Sequence, residues 1–210
     1  SENKNEIAWV KALFPQQKGY LDVYHHYGLT GKKSVFAHCV HLEEDEWNCM
    51  HQTDSAIAFC PTSNLFLGSG LFPLKKTWEK NVKVGLGTDI GAGTSFNQLQ
   101  TINEAYKVQQ LQGEKLSAIE ALYHATLGGA KALDLHNKIG NFEIGKEADF
   151  IVTYEGENQP RKWISWLKTV LVCVLTFFGG AFSIMTFNTD VNMSGLFFQL
   201  YRQFTGEIST

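Results

Sequence analysis

Residues 82–89 read Val82-Lys83-Val84-Gly85-Leu86-Gly87-Thr88-Asp89. A short β-branched run ends in two glycines and delivers one aspartate, followed by the flexible stretch Ile90-Gly91-Ala92-Gly93-Thr94. A parallel strand presents a carboxylate at its C-terminal end in this way, and α/β barrels keep their chemistry at that end. The same residues also suit a buried strand followed by an aspartate that caps the next helix.

Two earlier runs have the same character. Ser34-Val35-Phe36-Ala37 ends at His38, and Ala56-Ile57-Ala58-Phe59 ends at Cys60-Pro61-Thr62-Ser63-Asn64. Pro61 cannot continue a strand ladder, so the chain must turn there. Helical patterns are expected over residues 6–14, 20–27, 43–50 and 74–80. Longer ones follow at 99–112 and 117–127, the second opened by a Ser117–Glu120 capping box and ended by Gly128-Gly129, with a further turn at 130–133. Alternating strands and helices joined by short connections imply right-handed βαβ units and a parallel sheet. None of the three runs alternates polar with apolar, as expected for strands covered on both faces. Three strands complete neither a barrel nor a large doubly wound sheet, so this is part of a sheet.

With 210 residues, 44% hydrophobic and 19% charged, the chain has a globular composition and enough residues for a real core. A net charge of −3 provides no pull toward nucleic acid. The four cysteines, Cys39, Cys49, Cys60 and Cys173, show no CxxC spacing and fit reduced thiols in a cytoplasmic protein. A zinc site from Cys39 and Cys49 is conceivable. The start, Ser1-Glu2-Asn3-Lys4-Asn5-Glu6, has no signal-peptide pattern.

Beyond residue 138 the character changes. Residues 139–155 read as a small β element, with glycine turns flanking a short strand and Asp149 opening another. Residues 156–210 form an atypical apolar tail. Its stretch 170–187 holds 18 residues without a charge, the length of a transmembrane candidate, although Gly179-Gly180 interrupts it. A buried apolar pair of elements split at those glycines is the other reading.

The strand ends would bring His38, Cys60 to Asn64, and Asp89 to one rim. A histidine and an aspartate there can bind a metal or exchange protons. His41 is expected to enter the next helix. His25 and His26 read as solvated, and His51, His124 and His136 as structural. No P-loop or GxSxG elbow is present, and Gly85-Leu86-Gly87 is not a dinucleotide fingerprint.

These segments together resemble the amidohydrolase superfamily, and within it the guanine deaminases. The resemblance is carried by Val35 to Cys39, Ile57 to Leu65, Gly68-Ser69-Gly70-Leu71-Phe72-Pro73-Leu74, Gly85 to Asp89 and Ala92 to Phe96. Glu104 to Val108, Ala125 to Ala130 and Ile139 to Phe150 continue it. It implies a metal-dependent (β/α)₈ barrel, of which residues 1–138 would be about strands five to eight, with a fragment of a small β-sandwich domain in 139–155. The family binds its metal through an HxH pair after the first strand, a histidine after the fifth and an aspartate after the eighth. Asp89 matches that last ligand and the base that orients water. Ser1-Glu2-Asn3 matches the end of an H-x-S-E-N motif, which makes Glu2 the proton-shuttling glutamate. His38 matches the histidine that contacts the attacking water and the developing charge.

The resemblance therefore implies zinc, one per complete barrel, with iron as an alternative, guanine as the substrate, and a homodimer for the complete protein. The HxH pair and the third histidine do not occur at matching positions, so the 210 residues alone are expected to be inactive, with exposed strand edges. Two further readings stay open: another aminohydrolase of the same superfamily, and an inactive interaction module attached to a membrane through 170–187.

Overall fold

A computed structural model describes residues 1–151. The readings of residues 156–210, including the apolar run at 170–187, fall outside the described residues. Among the described residues no helix is long and apolar enough to cross a membrane.

The chain opens with two helices, α1 (Lys4–Leu13) and α2 (Tyr20–His26). Strand β1 (Val35–Ala37) leads to α3 (Glu44–Gln52), and β2 (Ala56–Phe59) to α4 (Pro61–Phe66) and α5 (Leu74–Glu79). Strand β3 (Lys83–Leu86) precedes α6 (Gln98–Leu111), α7 (Ala118–Ala125) and α8 (Leu127–Ala132). The strands pair in parallel in the order β1-β2-β3, with Phe36 opposite Ile57 and Ile57 opposite Val84. Each strand lies beside its predecessor in sequence, as in an arc of a barrel. A doubly wound sheet reverses direction at a switch point, and no such reversal occurs among the described residues.

Every residue of β2 is buried, as its unbroken apolar run requires. The core gathers Trp47, Met50, Ile57, Phe59, Phe72, Leu74, Leu86 and Val108 around it. The Phe72 ring stacks on Phe59 with centroids 4.6 Å apart. β1 departs from the expectation of cover on both faces, because it is an edge strand among the described residues and leaves Ala37 exposed. Among the described residues the other edge of β3 meets side chains instead of a strand. The Val84 carbonyl meets His124 Nδ1 at 3.3 Å, and the Leu86 carbonyl accepts from Gln98 Nε2 at 3.0 Å.

One local expectation is extended and two are corrected. Pro61 does more than turn the chain: it opens α4 from within the first turn, where its missing N–H leaves nothing unsatisfied. Gly128 and Gly129 do not end α7. The break falls at Thr126 (φ −125°, ψ −100°), and both glycines lie inside α8. A Cβ on Gly128 would stand 3.0 Å from the Tyr123 carbonyl oxygen and 3.2 Å from that of Val84, so glycine permits this close approach to β3. Residues 139–149 form turns and extended backbone without a strand. Backbone hydrogen bonds tie them to the preceding segment, from Ile139 N to Leu135 O at 3.1 Å and from Glu147 N to Lys138 O at 2.7 Å, and none of residues 139–149 joins a strand ladder among the described residues. The Ser117–Glu120 capping box is present, and a second one, Glu43–Glu46, starts α3.

Candidate active site

The last ladder bonds run from His38 N to Ala58 O at 2.9 Å and from Gly87 N to Phe59 O at 2.8 Å. Just beyond them the backbone enters the left-handed region, at His38 (φ 66°), Cys39 (φ 50°) and Asp89 (φ 47°). A bond from Cys39 N to Ala37 O at 2.8 Å closes a tight three-residue turn on His38. A non-glycine residue at such a turn is strained by about 1–3 kcal/mol. The strain aims two side chains from different strands at one point above the sheet.

His38 Nε2 lies 3.6 Å from Asp89 Oδ2 and 3.5 Å from Glu2 Oε2. Glu2 precedes α1, Asp89 follows β3, and His38 follows β1, so three distant segments meet on one imidazole nitrogen. All three side chains stay partly open to solvent, Asp89 the most at 35%. The other ring nitrogen, Nδ1, is 2.7 Å from Asn64 Oδ1. Ser69 Oγ donates to Glu2 Oε1 at 2.8 Å. The aspartate turn is locked by Gly93 N donating to Asp89 O at 2.6 Å.

Cys60 completes a cluster in which one donor atom each of His38, Cys60 and Asp89 lies within 4.8 Å of the others. Burial, reinforced by the Asp89 charge, pushes the Cys60 thiol up to about 12. A protonated thiol is a poor ligand and a poor nucleophile. The Cys39 thiol is likewise pushed up to about 12 by burial, and neither Cys39 nor Cys49 joins a donor cluster among the described residues. A zinc site built from that pair is not found there.

A carboxylate oxygen and an imidazole nitrogen are donors that zinc accepts. A closed zinc site needs more donors than this pair. The residues present therefore fit one side of a metal site, with Asp89 as the open carboxylate.

His41 stays outside α3, in the turn before it, where Nε2 contacts the Ser69 carbonyl at 2.9 Å. His25, His26 and His51 are exposed, whereas His124 is buried and stacks on Trp78 with centroids 6.0 Å apart. Sequence reasoning placed Asn64 at a strand end and Ser69 in a segment that carries the family resemblance, but assigned neither a role. The signal for both was their position in the segment between β2 and α5, which follows the strand end that supplies Cys60.

The sequence profile of the amidohydrolase family matches residues 1–187. Over 151 residues the chain is 74% identical to guanine deaminase of Escherichia coli strain K12, covering 72% of this chain and 34% of the relative. The solved E. coli guanine deaminase superimposes with a TM-score of 0.71, over 72% of this chain and 35% of that one. A guanine deaminase from C. acetobutylicum with bound guanine in the active site is 36% identical, with a TM-score of 0.68, over 73% and 38% of the two chains. The chain thus spans about a third of the length of the curated relatives it matches.

Proposed function

This chain belongs to the amidohydrolase family, and we propose that it is the C-terminal part of a guanine deaminase, which hydrolyses guanine to xanthine and ammonia. The observation that carries the proposal is the meeting of Glu2 and Asp89 on His38 Nε2 at 3.5 and 3.6 Å. In this reading β1, β2 and β3 are the sixth, seventh and eighth barrel strands, and Ser1-Glu2-Asn3 follows the fifth. The 74% identity to the E. coli enzyme supports guanine over the substrates of other aminohydrolases.

Asp89 would hold the metal together with histidines supplied from outside these 210 residues. Bound zinc lowers the pKa of a coordinated water toward neutrality; iron would meet the same donors. The Asp89 carboxylate orients the attacking water and accepts its proton. Glu2, steadied by Ser69, carries a proton to the purine ring nitrogen and then to the leaving amine. His38 Nε2 faces the same point and, when protonated, donates to the charge that develops on the tetrahedral intermediate. A cytoplasmic homodimer is the assembly in which we place the complete protein.

A comparison of the isolated chain with a chimera tests this. The 210 residues alone release no ammonia from guanine with zinc, because they hold one ligand of four. Residues 1–151 spliced behind the upstream portion of the E. coli relative restore zinc-dependent conversion of guanine to xanthine, and Asp89→Asn abolishes it. Turnover by the isolated chain would overturn the incomplete-site reading. A folded, zinc-loaded chimera that leaves guanine untouched would overturn the substrate.

A further inference from the structure

We propose that Asn64 is a positioning residue of this site, acting through His38. The inference rests on the reading of Glu2, His38 and Asp89 as the reacting groups. An amide oxygen cannot donate, so the 2.7 Å contact between Asn64 Oδ1 and His38 Nδ1 places a hydrogen on Nδ1. A histidine's second nitrogen is set by the bond its first one makes. Nε2 is thereby left as the nitrogen that faces Glu2 and Asp89.

Three observations point to positioning rather than packing. Asn64 is 1% exposed, yet its Nδ2 has no hydrogen-bond partner among the described residues. An unpaired buried amide N–H is costly, and an apolar residue of the same shape would avoid that cost. Only the oxygen end is engaged, and it is engaged by His38. Second, His38 sits in a strained turn (φ 66°), so its ring needs an anchor beyond its own backbone. Third, Asn64 is itself held at both ends. Its N–H donates to the Cys60 carbonyl at 3.0 Å, and its carbonyl accepts from Ser69 N at 2.8 Å. Ser69 then reaches Glu2 through its hydroxyl. The segment after β2 thus aims the imidazole and the glutamate from a single rigid turn.

The test begins with the histidine-labelled 210-residue chain and ¹⁵N NMR of the neutral His38 ring. The expected signature is Nδ1–H with a bare Nε2. Asn64→Leu should lose that signature, and Asn64→Asp, which keeps an acceptor oxygen but replaces the amide NH2 with a second, charged oxygen, should keep the hydrogen on Nδ1. In the guanine-converting chimera, Asn64→Leu should lower kcat on the order of 10- to 100-fold, by analogy with the loss when a hydrogen-bond partner that orients a metal-site histidine is removed, with KM little changed. Asn64→Asp should recover most of it. A wild-type ring bearing its hydrogen on Nε2, or an Asn64→Leu protein with an unaltered tautomer, overturns the proposal. The wild-type spectrum decides even if the leucine variant fails to fold. A parent chimera that never deaminates guanine refutes the functional reading instead, and the tautomer result is independent of it.

Discussion

Replacing Gly93 with alanine should disable the site while leaving the core in place. A methyl on Gly93 would overlap the Thr88 carbonyl oxygen, and it would stand 2.8 Å from the Asp89 carbonyl oxygen and 3.1 Å from the Asp89 carbonyl carbon. All three obstacles are backbone, so no rotamer change relieves them. They belong to the turn closed by Gly93 N and Asp89 O at 2.6 Å, which keeps Asp89 at φ 47°. Restoring ordinary contact opens that turn by on the order of 1 Å, and such a displacement of a reacting group costs about 100-fold in rate. At about 1.36 kcal/mol per decade, the loss in transition-state stabilisation is about 2.7 kcal/mol. The accompanying loss of stability should be about 1–3 kcal/mol, the ordinary range for overpacking. The assay measures kcat/KM for guanine in the chimera beside its thermal midpoint. A folded Gly93→Ala protein that keeps kcat/KM within about twofold of the parent would refute the claim that this turn places Asp89.

Three further outcomes are expected. Phe72→Ala removes a fully buried ring stacked on Phe59 and should cost about 3–5 kcal/mol in urea unfolding; a loss below about 1 kcal/mol would mean that this part of the core collapses to fill the gap. Burial holds the His124 imidazole below its ordinary 6.5, against the opposing pull of the Val84 carbonyl. The unfolded ring takes up a proton that the folded ring resists. Its contribution to stability is therefore complete above pH 6.5 and declines as pH falls below it. Urea midpoints at about pH 7.5 and about pH 5.5 should show this decline, and His124→Gln should lessen it; an equal decline in the variant speaks against His124 as its source. Finally, Cys39 and Cys60, both pushed up to about 12, should react with a thiol reagent near neutral pH only as fast as the protein opens, and prompt labelling of Cys60 in the native state would contradict its burial.

Much of the local structure was legible because its causes are local. The apolar run 56–59 is β2 to the residue, and the runs ending near His38 and Asp89 are β1 and β3 within a residue or two. Ser117 and Glu120 cap their helix as their spacing dictates. The less legible features depend on neighbours distant in sequence. Whether Gly128 and Gly129 end a helix or sit inside one is decided by the approach of α8 to the Val84 carbonyl. Whether residues 139–149 form a strand depends on a ladder partner that the segment cannot supply for itself.

The candidate site divides along the same line. Sequence alone placed His38 and Asp89 at the ends of parallel strands, because an unbroken apolar run has to end where its first polar residue leaves the sheet. It also singled out Glu2 through resemblance to a family motif. Only the tertiary structure brought these groups to within 3.6 Å of one imidazole nitrogen, because strand register and three left-handed residues set where the side chains point. The tertiary structure also assigned Asn64 and Ser69 their contacts, since a hydrogen bond to His38 or Glu2 spans 26 residues in one case and 67 in the other. Propensity and spacing act over a few residues, whereas contacts at that separation exist only once the chain has closed on itself.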